Sequence, residues 1–248
     1  MIEETKLSML GHLGELRKRL IRSVVVIIIF AIVSFVFYEK IFEILVIPAP
    51  DGFEMQAIEM TELLGTIMRV SLFGAVILAM PFLAYEIIMF VTPALSRREK
   101  MYVYLILPWI TVMFLGGVAF AYFILIPNVT SFLLTFGSEI ATTLPRVKDY
   151  VNVVTRMMLA VGLAFEMPVI TTFLARIGVL KYQWLASKWR EGIIVSFILA
   201  AIITPTIDPI NQGVVALPLI ILYGMSTGLA RLVQKRREKS AEDAEISE

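Results

Sequence analysis

Nineteen consecutive residues, Met157 to Ala175 (MMLAVGLAFEMPVITTFLA), carry one charge, Glu166, at their midpoint. As a helix rising about 1.5 Å per residue, they reach about 28 Å, close to a hydrocarbon thickness of about 30 Å. A carboxylate at that depth costs about 2.5–3.5 kcal/mol on insertion scales, so such a group normally faces a bundle interior, a cavity or a partner. Pro168, two residues on, cannot donate a backbone hydrogen bond, which predicts a kink there. The plainer alternative for Glu166 is a carboxyl bonded to a neighbouring helix for packing alone.

The rest of the chain reads the same way. Of its 248 residues, 58% are hydrophobic and only 17% charged, with a mean hydropathy of +0.84. A soluble domain carries about 25% charged residues, so this composition specifies a polytopic membrane protein. There is no cysteine, hence no disulfide framework or thiolate site, and the single histidine, His12, excludes multi-histidine metal or haem sites. No Walker A loop, HExxH or serine–histidine arrangement occurs, so no catalytic residue, cofactor or metal is expected. Work must then be driven by a gradient or by partners. Met1 to Arg22 is polar and basic, and the apolar run after it is long enough to span, so no cleavable signal peptide is read here.

Hydropathy predicts an all-α integral membrane protein of six kinked spans. Met1–Arg22 reads as an amphipathic helix, followed by spans at Ser23–Tyr38, Val70–Val91, Tyr102–Ile126 and Met157–Ala175. The last two are short: thirteen residues in Gly192–Thr204 and eighteen in Gly213–Ala230. Such lengths must thin the bilayer or lean on neighbours. A Pro205-to-Gln212 turn joins them. Between spans, Glu39–Met68 and Pro127–Asn152 read as polar loops, and Thr92–Met101 and Arg176–Arg190 as basic ones. Residues 1–230 form one membrane domain, and 231–248 a charged tail predicted to be disordered. Lysines and arginines number 17 on the side of both termini and five on the other, which puts both termini in the cytoplasm.

On that cytoplasmic side, chain ends aside, the acids are Glu15, Glu99 and Glu191, among twelve basic residues. A strongly basic face attracts anionic lipid headgroups and repels a basic ligand at long range, so such a ligand must be held by close contact with these few acids. Arginine suits that contact, because its planar guanidinium pairs bidentately with a carboxylate. For Glu15 the plain alternative is a pair with Arg19 at i,i+4, or with Lys18 at i,i+3, which contributes about 0.2–0.5 kcal/mol. Glu99 has the same difficulty between Arg98 and Lys100.

Several spaced motifs resemble one family. His12-Leu13-x-Glu15-Leu16-Arg17-x-Arg19 precedes the first span, and Phe90-x-x-Pro93-Ala94-Leu95-x-x-x-Glu99 occupies the first basic loop. Phe165-Glu166-x-Pro168 lies in the fourth span, and Thr204-Pro205, Asp208, Gln212, Ala216-Leu217-Pro218 and Leu222-Tyr223 follow in order. Together they are similar to TatC, the multispanning subunit of the twin-arginine protein translocase, over essentially the whole membrane part.

The resemblance implies a receptor for folded precursors bearing twin-arginine signal peptides, in a bacterial-type cytoplasmic membrane and with a cupped six-helix fold. It implies that Glu15 and Glu99, with Arg17, Phe90 and Leu95, form the signal-peptide site. It ties Glu166, with Phe165 and Pro168, to contacts with the single-span subunits TatA and TatB. Pro48 matches a proline capping the periplasmic side, while Pro205, Asp208 and Gln212 form the turn between the short helices. A homo-oligomer within a larger complex is implied, and no nucleic acid. Three positions depart from the family pattern: Gly224 replaces a glutamate, Ile207 a proline, and Glu86 a neutral polar residue. The rival reading is a proton-coupled secondary transporter with Glu166 and Glu86 as relay carboxylates, but no repeat relates residues 1–126 to 127–248.

Overall fold

The structure, a computed structural model, describes residues 2–50, 53–91, 97–135, 144–204 and 208–246, with side chains at 11, 13–50, 53–90, 106–135, 144–204 and 208–235. Pro205 and Leu95 lie outside the described residues, as does the side chain of Glu99. The described chain is helical, and it divides into two compact units: residues 1–45 with 59–111, and residues 46–58 with 112–248.

In the first unit, the amphipathic segment and the first span are one helix, α1 (Ile2–Val36), since nothing between them breaks hydrogen bonding. After a one-residue break comes α2 (Tyr38–Val46), inside what reads as a loop in the sequence. Its apolar side buries Leu45 to 1% exposure, while Lys40 and Glu43 pair loosely in solvent at 3.8 Å. Helix α3 (Glu62–Val91) begins eight residues before the predicted span. Glu62 caps its start by accepting from the Glu59 N–H (3.3 Å), and Thr66 and Ser71 each donate to the carbonyl one turn back (2.8 Å). Those intrahelical bonds conceal the polarity that makes this stretch read as loop. Helices α1 and α3 meet where Gly74 lies against Ser34 and Ile41.

In the second unit, α4 (Arg97–Phe120, its last turns) runs through a π-helical turn, Ala121–Leu125, into α5 (Ile126–Thr135). Pro127 has no N–H for the Phe123 carbonyl, and the wider turn precedes it. Asn128 Nδ2 donates to the Ile124 carbonyl (2.6 Å), so the third apolar stretch continues nine residues past its predicted end. Helix α6 (Val147–Ala164) starts ten residues earlier than predicted, because Val147, Val151, Val154, Met158 and Val161 share one buried stripe. Residues 53–58 are pinned to its start. The Phe53 ring lies 4.9 Å from that of Tyr150, the Gln56 N–H donates to the Pro145 carbonyl, and the Val147 N–H donates to that of Gln56 (both 3.2 Å).

The predicted kink is present as a two-residue interruption at Phe165 and Glu166. Helix α6 ends at Ala164, the residue whose carbonyl Pro168 cannot satisfy, and α7 (Met167–Arg176) restarts two residues later. Gly178 then ends α7 in the left-handed region (φ 80°), with the Val179 N–H donating to the Leu174 carbonyl (3.0 Å). The predicted basic loop contains α8 (Tyr182–Ser187), then α9 (Trp189–Ile203) and α10 (Pro209–Ile246) follow. Asp208 caps α10 by accepting the Asn211 N–H (2.7 Å) with Pro209 at the first helical position. Gln212 Nε2 donates to the Phe197 carbonyl (3.0 Å) and ties α10 to α9.

Among the described residues, five stretches are long and apolar enough to cross a membrane: Leu13–Val36, Glu62–Phe90, Ile106–Thr135, Val147–Arg176 and Pro209–Lys235. The predicted span not among them, the fifth (Gly192–Thr204), corresponds to α9, which at 15 residues falls short of that length. Helices α4 and α6 approach through Gly117 and Gly162. A Cβ on Gly117 would sit 2.9 Å from the Gly162 Cα and 2.7 Å from the Phe165 ring, whereas Gly116 faces open space. Gly162→Val should therefore destabilise the detergent-solubilised protein by about 1–3 kcal/mol through overpacking. Gly116→Ala should stabilise it by up to about 1 kcal/mol, both read from thermal denaturation midpoints.

Candidate functional site

Two sets of acidic side chains stand out, one in each unit. In the first, Glu15 and Arg19 lie one helical turn apart on α1. Arg19 donates from Nε (3.0 Å) and Nη2 (2.5 Å) to Glu15 Oε1, and from Nη1 (2.8 Å) to Glu86 Oε2 on α3. Arg22 Nη1 approaches the other Glu86 oxygen at 3.7 Å. Glu86 is 4% exposed and needs these cations, because a buried carboxylate without a partner is costly. Glu15, at 34%, opens to the surface and uses one oxygen for Arg19. The intrahelical pair that the spacing allows is thus present, extended by an acid 67 positions away. No periodicity links Glu86 to α1, so this contact could not be read from the sequence.

Arg17 is exposed on α1, and Phe90 is half-buried at the end of α3. Glu99 lies in the first turn of α4. Among the proposed site residues with described side chains, the structure brings together Glu15 and Glu86, a pairing whose second member reads from sequence as a relay carboxylate. Pro48 is half-buried just after α2, at residues 46–58 of the second unit.

In the second unit, Glu166 sits in the break between α6 and α7 and is 4% exposed. Its backbone is fully used: its N–H donates to the Leu163 carbonyl (3.1 Å), and its own carbonyl accepts from Ile170 (2.9 Å). The carboxyl is not. Neither Oε1 nor Oε2 has a hydrogen-bond partner among the described residues. The Phe114 N–H is near enough to act on it electrostatically, without hydrogen-bond geometry. Phe165 packs its ring 5.5 Å from Phe120, and Pro168 is buried at the start of α7.

A separate apolar groove of about 530 Å³ runs along α7 and α9, lined by Leu163, Ile170, Leu199 and Leu219 among others, and ending at Lys188 and Glu191. Glu166 does not line it. Lys188 donates to Glu191 (2.7 Å), which holds that carboxyl below its usual range. Tyr223 closes the end by donating to the Leu185 carbonyl (2.7 Å), with Gly192 leaving room for its ring.

A buried carboxyl with no partner costs about 1–3 kcal/mol. Glu166→Met should recover stability of that order in the isolated chain, raising its thermal midpoint in detergent. A lowered midpoint would mean that this carboxyl is already satisfied.

Comparison with known proteins agrees with the helical order. The family model for Sec-independent protein translocase protein (TatC) matches residues 11–218. A TatC of Desulforapulum autotrophicum is 37% identical over 246 residues, covering 98% of this chain and 91% of that protein. One from Helicobacter pylori is 35% identical, covering 94% and 93%. A crystal structure of the twin-arginine translocase receptor TatC superposes with a TM-score of 0.81 at 35% identity, covering 90% of this chain and 99% of that one. Such relatives are translocase components of the membrane and not enzymes. With the match spanning most of its length, the chain belongs to the TatC family of multispanning membrane proteins.

Proposed function

We propose that this chain is the receptor of a twin-arginine translocase, holding the arginine pair of signal peptides at Glu15 and Glu99 on its cytoplasmic face. Both termini are cytoplasmic, as the 17-to-five excess of lysine and arginine indicates. Helix α9 acts as a sixth, short span, and the bilayer thins beside it. The protein resides in a bacterial-type inner membrane within a larger, homo-oligomeric assembly. Glu166 receives a polar group from a helix of TatA or TatB, and export is driven by the membrane gradient.

One observation carries the signal-peptide half. Glu15, one-third exposed, already accepts a guanidinium: Nε and Nη2 of Arg19 both donate to its Oε1. An ammonium cannot pair bidentately with a carboxylate as a guanidinium can, so lysine substitutes poorly. The carboxyl of Glu166, buried and without a donor among the described residues, supports the other half, since such an acid is suited to a donor from another chain. Glu86, held by Arg19 and Arg22, has a local role that leaves the relay reading without its second carboxylate.

The test is binding of an Arg-Arg signal peptide against its Lys-Lys counterpart to purified protein in nanodiscs. Hydrogen bonds to charged groups contribute about 1.5–3 kcal/mol, so arginine should be preferred by roughly 10- to 150-fold. The preference should collapse in Glu15→Gln and Glu99→Gln. Equal binding of both peptides by the wild type would remove the basis for the receptor reading.

A further inference from the structure

We propose that Arg19 is a built-in placeholder for a signal-peptide arginine, and that Glu86 is the acid onto which it is displaced when the peptide engages Glu15. This rests on the receptor reading above and concerns how the same site is regulated.

The geometry gives Arg19 two holders of different character. Glu15 takes the Nε–Nη2 edge through a single oxygen and is one-third exposed, whereas Glu86 takes Nη1 and is 4% exposed. An incoming guanidinium can reach the outer acid but not the inner one. It competes for Glu15 with a ligand that is tethered one turn away on the same helix. A lone i,i+4 partner of that kind would be an effective inhibitor, because it never diffuses away.

Glu86 changes that balance. When the Nε and Nη2 bonds to Glu15 break, Arg19 keeps its bond to Glu86 Oε2 and need not be solvated as a free cation. Glu86 also has room for a second bond, since Arg22 stands 3.7 Å from its Oε1, outside hydrogen-bond range. Two carboxylates and two arginines are present in the unliganded cluster. After exchange, the third guanidinium sits on Glu15 while Arg19 and Arg22 share Glu86. A lysine ammonium gains less by the same exchange, because it offers no planar edge to replace the two bonds that Glu15 gives up. The displaced arginine thus raises the threshold for binding and sharpens discrimination between the two basic residues. Packing between α1 and α3 would by itself explain a pair, but not an arginine divided between an open acid and a closed one.

The experiment compares affinities of an Arg-Arg signal peptide for wild type, Glu86→Gln, and the double variant Arg19→Gln with Glu86→Gln, in nanodiscs. Losing the inner acid confines Arg19 to Glu15, so Glu86→Gln should weaken binding by about tenfold, the equivalent of one charge-assisted hydrogen bond. Removing the competitor as well should restore affinity to the wild-type level or beyond, which a merely structural role for Glu86 would not do. A double variant as weak as Glu86→Gln would overturn the proposal, as would an unchanged Glu86→Gln. A second measurement needs no variant in the binding assay. The ¹⁵Nε–H resonance of Arg19, assigned by its loss in Arg19→Lys, should shift when wild type is saturated with the Arg-Arg peptide. A resonance unmoved at saturation would also overturn it. Failure of wild type to prefer Arg-Arg over Lys-Lys would instead overturn the receptor reading itself.

Discussion

Hydrocarbon offers no hydrogen bonds, so each polar group carried into it must be satisfied by the protein. Most of this chain follows that constraint locally. The buried hydroxyls of Thr66, Thr130, Thr155, Ser196, Thr204 and Ser226 all donate to the carbonyl one turn back in their own helix. Glu86 meets it at longer range, through arginines on another helix. Glu166 does not meet it at all within the described residues. The two buried acids therefore represent opposite solutions, one paired within the chain and the other unpaired among the described residues.

How they arise is visible in the backbone. Pro168 removes the donor for Ala164, which ends α6 and places residues 165 and 166 in the break. Close approach of α4 through Gly117 and Gly162 then lines that break with Phe114 and Phe165 rather than with polar groups. Ser34 Oγ is the other buried polar atom without a partner among the described residues, and it lies against Gly74 where α1 meets α3. A hydroxyl can be left so at modest expense, while a carboxyl cannot.

Much of this was legible in the sequence, and the rest failed for physical reasons. A nineteen-residue stretch with one glutamate at its centre and a proline two residues on gave the position of the break. The i,i+4 spacing of Glu15 and Arg19 predicted their pair. Helix ends were misplaced wherever intrahelical bonds hide polar side chains, as at Thr66 in α3, or where a π-helical turn carries a helix into a proline, as before Pro127. Helices α2 and α8 lie within polar segments because one buried leucine each, Leu45 and Leu185, is enough to seat so short an element. The union of Arg19 with Glu86 was beyond reach, since it depends on tertiary contact between α1 and α3. That contact turns an ordinary surface pair into a site with an inner and an outer acid.

A helix of another chain that completes the Glu166 carboxyl must pass beside α7. A photoreactive residue at Ile170, one turn beyond Glu166 and 49% exposed, would report on that contact in membranes that also contain TatA and TatB. Crosslinks to a single-span subunit should form from this position and be lost in the Glu166→Ala background, with the protein still folded. Crosslinks of equal yield with and without the carboxyl would mean that no partner helix depends on it.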